Sequence, residues 1–177
     1  MKKILSVLSL TALLLVSCSK KSDTTGTNNN NNNSNAPLGQ VLATVGGTNL
    51  TLTGLATKTG VSGAVSLGLV GTDATGRSVV IAMINITASG TYDIGTVVAI
   101  VPPQSIGIDY TTTDASGTSI SYSSTNQPAV KQGTITITSY TATNIQGTFS
   151  ATGLKTDNAT ASPQTVDIAS GSFNLNF

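Results

Sequence analysis

The chain is 177 residues long and carries a formal net charge of +1; only 8% of its residues are charged and 4% aromatic. It contains 30 Thr, 21 Ser and 14 Asn, no His, no Glu, no Trp, and a single Cys, Cys18. Ser-His-Asp and Cys-His catalysis lack their imidazole, His/Cys zinc sites cannot be built, no disulfide can form within the chain, and one Arg does not make the basic footprint of a nucleic-acid binder.

Residues 1–17 read as a signal peptide. Lys2 and Lys3 form a positive start, and Ile4 to Val16 is an apolar run of 13 residues. That is short of the roughly 20 apolar residues a spanning helix needs. Leu15-Val16-Ser17-Cys18 then resembles the lipobox of bacterial lipoproteins. The resemblance implies cleavage before Cys18 and diacylglyceryl modification of its thiol, with palmitate-type chains inserted in a membrane. Two or more acyl chains suffice for stable anchoring. Ser19, rather than Asp, follows the Cys, and by the same resemblance this points to the outer membrane, with the facing leaflet open.

Residues 18–37 read as a tether. SKKSDTTGTNNNNNNSNAP offers almost nothing to a hydrophobic core. As a flexible coil it spans about 25 Å, and about 65 Å when taut. Asp23-Thr24-Thr25 resembles the O-glycosylation sequon of Bacteroidota, which would place a glycan on Thr24.

Residues 38–177 read as one all-β domain, an antiparallel β-sandwich or flattened β-barrel of about ten strands. Short alternating runs lie between Gly, Pro and Asp turn signals, and no helical period appears. The expected strands are Gln40 to Val45, Asn49 to Thr53, Ala64 to Val70, Ser78 to Ile86, Val97 to Val101, Ile106 to Thr111, Thr118 to Ser123, Thr134 to Thr138, Ile145 to Ala151, and Val166 to Phe177 with a break near Gly171. The unbroken apolar run Val79 to Ile84 predicts a strand covered on both faces. Thr134, Thr136 and Thr138 should face out, with Ile135 and Ile137 in.

Two segments share the pattern T-D-A-[TS]-G-x-S: Thr72 to Ser78 and Thr113 to Ser119. Each reads as a hairpin turn, with Asp accepting from backbone amides ahead of it and Gly at the exit. With a bulge at Gly76, Leu69 faces Ile81 and Leu67 faces Met83. One carboxylate per turn falls far short of the six to eight oxygens calcium takes, so no metal or cofactor is expected.

The strands Gly133 to Thr138, Asn144 to Ala151 and Val166 to Phe173 are similar to an uncharacterised outer-membrane lipoprotein family of Bacteroidota, with its G-x-I-T-I-T, I-x-G-T-F-S and G-x-F pieces. Ala43 to Thr48 and Gly90-Thr91-Tyr92 resemble earlier pieces of it. The family carries no established activity, so the resemblance bears on location and fold.

The functional expectation is a non-catalytic binding module at the outer membrane or cell surface. The domain's six Asp lie mostly in or near turns and form no evident acid/base pair. Tyr110 and Tyr122 flank the second turn and could make a stacking platform for a glycan, or pack as a cross-strand pair. A structural or adhesive subunit that binds a surface protein is the alternative. A closed barrel would favour carriage of a small ligand.

Overall fold

Alternation of β-branched residues with Ser and Thr leaves each segment one apolar and one polar face, and such strands bury the first by wrapping a sheet around it. A computed structural model shows that arrangement for residues 35–61, 64–98, 103–125, 131–156 and 164–177. There are eleven strands among the described residues: β1 (Gln40–Val45), β2 (Thr48–Val61), β3 (Ala64–Thr72), β4 (Ser78–Ile84), β5 (Gly90–Ile94), β6 (Val97–Val98), β7 (Gln104–Thr113), β8 (Ser119–Ser123), β9 (Gly133–Tyr140), β10 (Asn144–Lys155) and β11 (Thr165–Asn176). The expected signal peptide, Cys18, Thr24 and nearly all of the tether lie outside the described residues. Ala36, assigned to the tether from sequence, is buried, so packing begins two residues before the expected boundary.

The architecture is a closed antiparallel barrel. Eight strands make the ring, in the order β1-β2-β3-β4-β7-β8-β10-β11, and β11 pairs back onto β1. The seam between β8 and β10 is short, Leu154 opposite Ser123 and Lys155 opposite Tyr122. Along the rest of that edge β10 pairs with β9 instead, and β9 with β5. β6 pairs with the start of β7. Among the described residues β5 is therefore the last strand of its layer, with one edge paired by no strand.

The interior is filled by side chains. Leu52, Leu67, Leu69, Ile81, Met83, Ile108, Ile135, Ile137, Ile145 and Phe173 are all almost fully buried. Most polar side chains of the strands, Thr134, Thr136 and Thr138 among them, face outward, while Asn85, Ser123, Ser124 and Ser172 are buried. This polarity is the reverse of a membrane-spanning barrel, whose apolar band faces lipid. No helix among the described residues is long and apolar enough to cross a membrane.

On the β10–β11 ladder two phenylalanines lie over two glycines. Phe149 is directly opposite Gly171, and Phe173 directly opposite Gly147. The ring centroids are 6.3 Å apart. A Cβ on Gly171 would stand 2.2 Å from Phe149 Cζ, and one on Gly147 would stand 2.7 Å from Phe173 Cζ. Only glycine leaves room for both rings between the strands. Gly171 does not break the strand, as the sequence suggested. The irregularity falls just before it, where the register skips from Ser170 to Ile168 against β1 and from Gly171 to Ile168 against β10.

Three further expectations change. β2 runs to Val61, well past Thr53, because β3 pairs with it along its whole length. β4 is not covered on both faces: Val79, Ile81 and Met83 are buried, but Ala82 is exposed and Ile84 is 45% exposed. In a single closed sheet the outer face has no second layer. Val80 then joins an outer row with Val70 and Leu55. β5 was not foreseen, and of the expected Val97 to Val101 strand only Val97–Val98 lie within the described residues. The paired register Leu67–Met83 and Leu69–Ile81 is as expected.

Candidate functional site

The two repeated turns are self-contained. Asp73 Oδ1 accepts from the Thr75 hydroxyl at 2.7 Å, the Thr75 amide at 2.9 Å and the Arg77 amide at 3.1 Å. The Arg77 guanidinium holds Oδ2 at 2.7 Å through Nε and through its terminal nitrogen. Asp114 repeats the motif with the Ser116 hydroxyl and amide and the Thr118 amide. Gly76 and Gly117 sit at φ +82° and +81°. The Thr75 hydroxyl bond, followed by those from Arg77, outweighs desolvation and lowers the Asp73 carboxyl from 3.8 to about 2. Asp114 is lowered for the same reason, led by Ser116. Both carboxylates are spent on shaping their own hairpins, and no group of three potential metal ligands exists among the described residues.

Tyr110 and Tyr122 are directly opposite on β7 and β8, stacked at 6.2 Å with 25° between planes. Tyr110 is 8% exposed and belongs to the core, and Tyr122 packs against it half-buried. The pair offers solvent little more than part of Tyr122.

An open cleft lies elsewhere, beside the unpaired edge of β5. Its volume is about 380 Å³, and it is lined by Ile86, Thr91, Tyr92, Asp93, Thr96, Gln104, Ser105 and Ile106. This falls at the small end of the roughly 300–1,000 Å³ range of small-molecule sites. β5 supplies one wall and the start of β7 the other. The two walls are tied at one end, where the Gly95 amide donates to the Ile106 carbonyl at 2.9 Å.

Several residues hold the cleft in shape. The Tyr92 hydroxyl donates to the Ala88 carbonyl at 3.0 Å, which fixes its ring. Gln104 Nε2 donates to the Asn85 carbonyl at 3.1 Å. Since that partner is a carbonyl, the amide nitrogen must face it, and Oε1 is left as an acceptor. Asn85 is the keystone beneath. It is buried, at φ +57°, the left-handed region that Asn tolerates better than most residues. Its Oδ1 accepts from the Val65 amide at 3.0 Å and its Nδ2 donates to the Pro103 carbonyl at 2.7 Å. So it joins β3, the end of β4 and the approach to β7.

Asp93 is paired at the rim with Lys131, Oδ1 to Nζ at 2.7 Å, with both side chains about half exposed. An exposed pair of this kind contributes little stability, but it neutralises the charge at the cleft. Among the described residues, Asp93 Oδ2, Gln104 Oε1 and the hydroxyls of Thr96 and Ser105 make no hydrogen bond. The cleft thus combines an aromatic ring, apolar Ile86 and Ile106, and uncommitted oxygens. Sequence reasoning missed this site because β5 is only five residues long and its partner wall comes from across Pro102-Pro103. The visible signal was Gly90-Thr91-Tyr92-Asp93, where a lone aromatic adjoins a carboxylate.

Fold and site together define a class: a closed all-β barrel with a packed interior and a small polar cleft at an open strand edge. Comparison of the chain with protein-family models, with curated proteins and with solved structures finds no match.

Proposed function

We propose that this chain is a lipid-anchored, non-catalytic binding module of the bacterial outer membrane, holding a small hydroxyl-rich ligand in the β5–β7 cleft. The anchor rests on Leu15-Val16-Ser17-Cys18 and the polar tether behind it. The resemblance to the Bacteroidota lipoprotein family supports the same location. The observation that carries the binding role is the cleft, where a fixed tyrosine and four uncommitted polar atoms converge on about 380 Å³. Carriage inside the barrel loses support, because the interior is occupied by the protein's own side chains.

Two measurements test the reading. Cells fed clickable palmitate should label the intact chain and leave Cys18→Ala unlabelled. An unlabelled, freely soluble wild type would remove the anchor. Titration of the intact chain in detergent with a panel of short saccharides should give binding that Thr96→Val weakens at unchanged melting temperature, and that Gln104→Ala weakens together with a small loss of stability from its bond to the Asn85 carbonyl. Binding indifferent to both substitutions would remove the cleft.

The adhesive alternative draws on one observation, the outer apolar row of Leu55, Val70 and Val80, with Leu55 65% exposed. In-cell cross-linking that captures a stoichiometric protein partner through Leu55 would favour it.

A further inference from the structure

The β5–β7 cleft presents acceptors. Among the described residues, Asp93 Oδ2 and Gln104 Oε1 are both oxygens without donors, each on a side chain whose other polar atom is engaged, with Lys131 or with Asn85. The Thr96 and Ser105 hydroxyls can donate or accept. A ligand that satisfies this set must bring several donors on a compact frame. Tyr92, Ile86 and Ile106 ask for an apolar flank on the same frame. A sugar ring has both, hydroxyl edges and C–H faces.

Charge narrows the class. Among the described residues Asp93 is the one charged residue lining the cleft, and Lys131 already balances it at 2.7 Å. A neutral hydroxyl can bond to Oδ2 without disturbing that pair. An anionic ring would bring a second carboxylate beside the first, and like charges at such range are repelled. A cationic ring would have to compete with Lys131 for a charge already compensated. Resting on the reading of this cleft as a binding site, we propose that it selects a neutral saccharide, that Asp93 Oδ2 accepts a hydrogen bond from a hydroxyl of it, and that Lys131 is a positioning residue that sets the preference for uncharged rings.

The test uses the intact chain in detergent, followed by the backbone amide signals of Thr91, Asp93 and Thr96. The probes are methyl glycosides of glucose, galactose and mannose, with glucuronate, galacturonate and glucosamine as charged counterparts. At least one neutral glycoside should shift these signals, and the uronate of the same ring should bind at least tenfold more weakly. Asp93→Asn should shrink that ratio, by weakening the neutral sugar and relieving the uronate. Lys131→Gln should move the preference toward glucosamine. If no saccharide of any charge shifts these amides, the cleft reading falls and this inference with it. If saccharides bind but the uronate or glucosamine equals or exceeds the neutral ring, the cleft stands and the neutral selection is overturned. If Asp93→Asn leaves the ratio unchanged, the assignment to Asp93 is overturned.

Discussion

Replacing Gly171 with alanine probes the tightest feature of the barrel wall. The new Cβ would stand 2.2 Å from Phe149 Cζ and 2.5 Å from both Cε atoms. These are ring atoms of a side chain only 4% exposed, so the ring has no solvent to swing into. Phe173, fully buried, blocks it at 6.3 Å between centroids. Overpacking of a core typically costs about 1–3 kcal/mol, and a clash with three ring atoms belongs at the upper end. Alanine also stiffens the unfolded chain, which returns about 0.4–1 kcal/mol. The net loss expected is about 2 kcal/mol, or about 8 °C in melting temperature for a domain of this size. Urea unfolding of the intact chain is the assay, with a midpoint drop of about 1 M. Phe149→Leu should cost stability alone but absorb much of the alanine penalty, so the double variant should lie above the additive value by about 1 kcal/mol. A Gly171→Ala midpoint within experimental error of wild type, or strict additivity with Phe149→Leu, would refute the reasoning.

Asn85→Ala should cost about 2–4 kcal/mol, since it strips the Val65 amide and the Pro103 carbonyl of their partners and places a Cβ at φ +57°. Asn85→Gly should recover about 1 kcal/mol of that, the backbone part alone, by calorimetry or urea titration. Because the Asp73 carboxyl is lowered in the folded state, its contribution is complete above 3.8 and is lost as pH falls toward about 2. Melting temperature measured across that window should fall more steeply for wild type than for Asp73→Asn, and parallel curves would count against the turn network. The Tyr140 hydroxyl is buried without a hydrogen-bond partner, while Lys58 stands 4.9 Å from the ring centroid. Tyr140→Phe keeps the ring beneath the ammonium and removes only the orphan oxygen, so stability should hold or rise by up to about 1 kcal/mol. A clear loss would reveal a partner for that oxygen.

Local pattern decided which segments are strands and which way they face. Period-two alternation put Ile135 and Ile137 inside, and the first T-D-A-x-G turn set the Leu67–Met83 register as the second set Tyr110 opposite Tyr122, because a side chain's face and a hairpin's register depend on neighbours a few residues away. The proposed lipobox Leu15-Val16-Ser17-Cys18 and the proposed Asn-rich tether rest on local pattern alone, and lie almost wholly outside the described residues. Closure of the barrel depends instead on β1 meeting β11 across more than 120 residues, and no local pattern encodes a partner that distant. Val80, Ala82 and Ile84 misled for that reason, since an apolar run looks the same under a second layer or on an open wall. Tyr110 and Tyr122 were legible as a pair, but their burial was set by the barrel around them. The cleft was hidden altogether, because β5 and β7 form it only once the ring has closed and brought together strands distant in sequence.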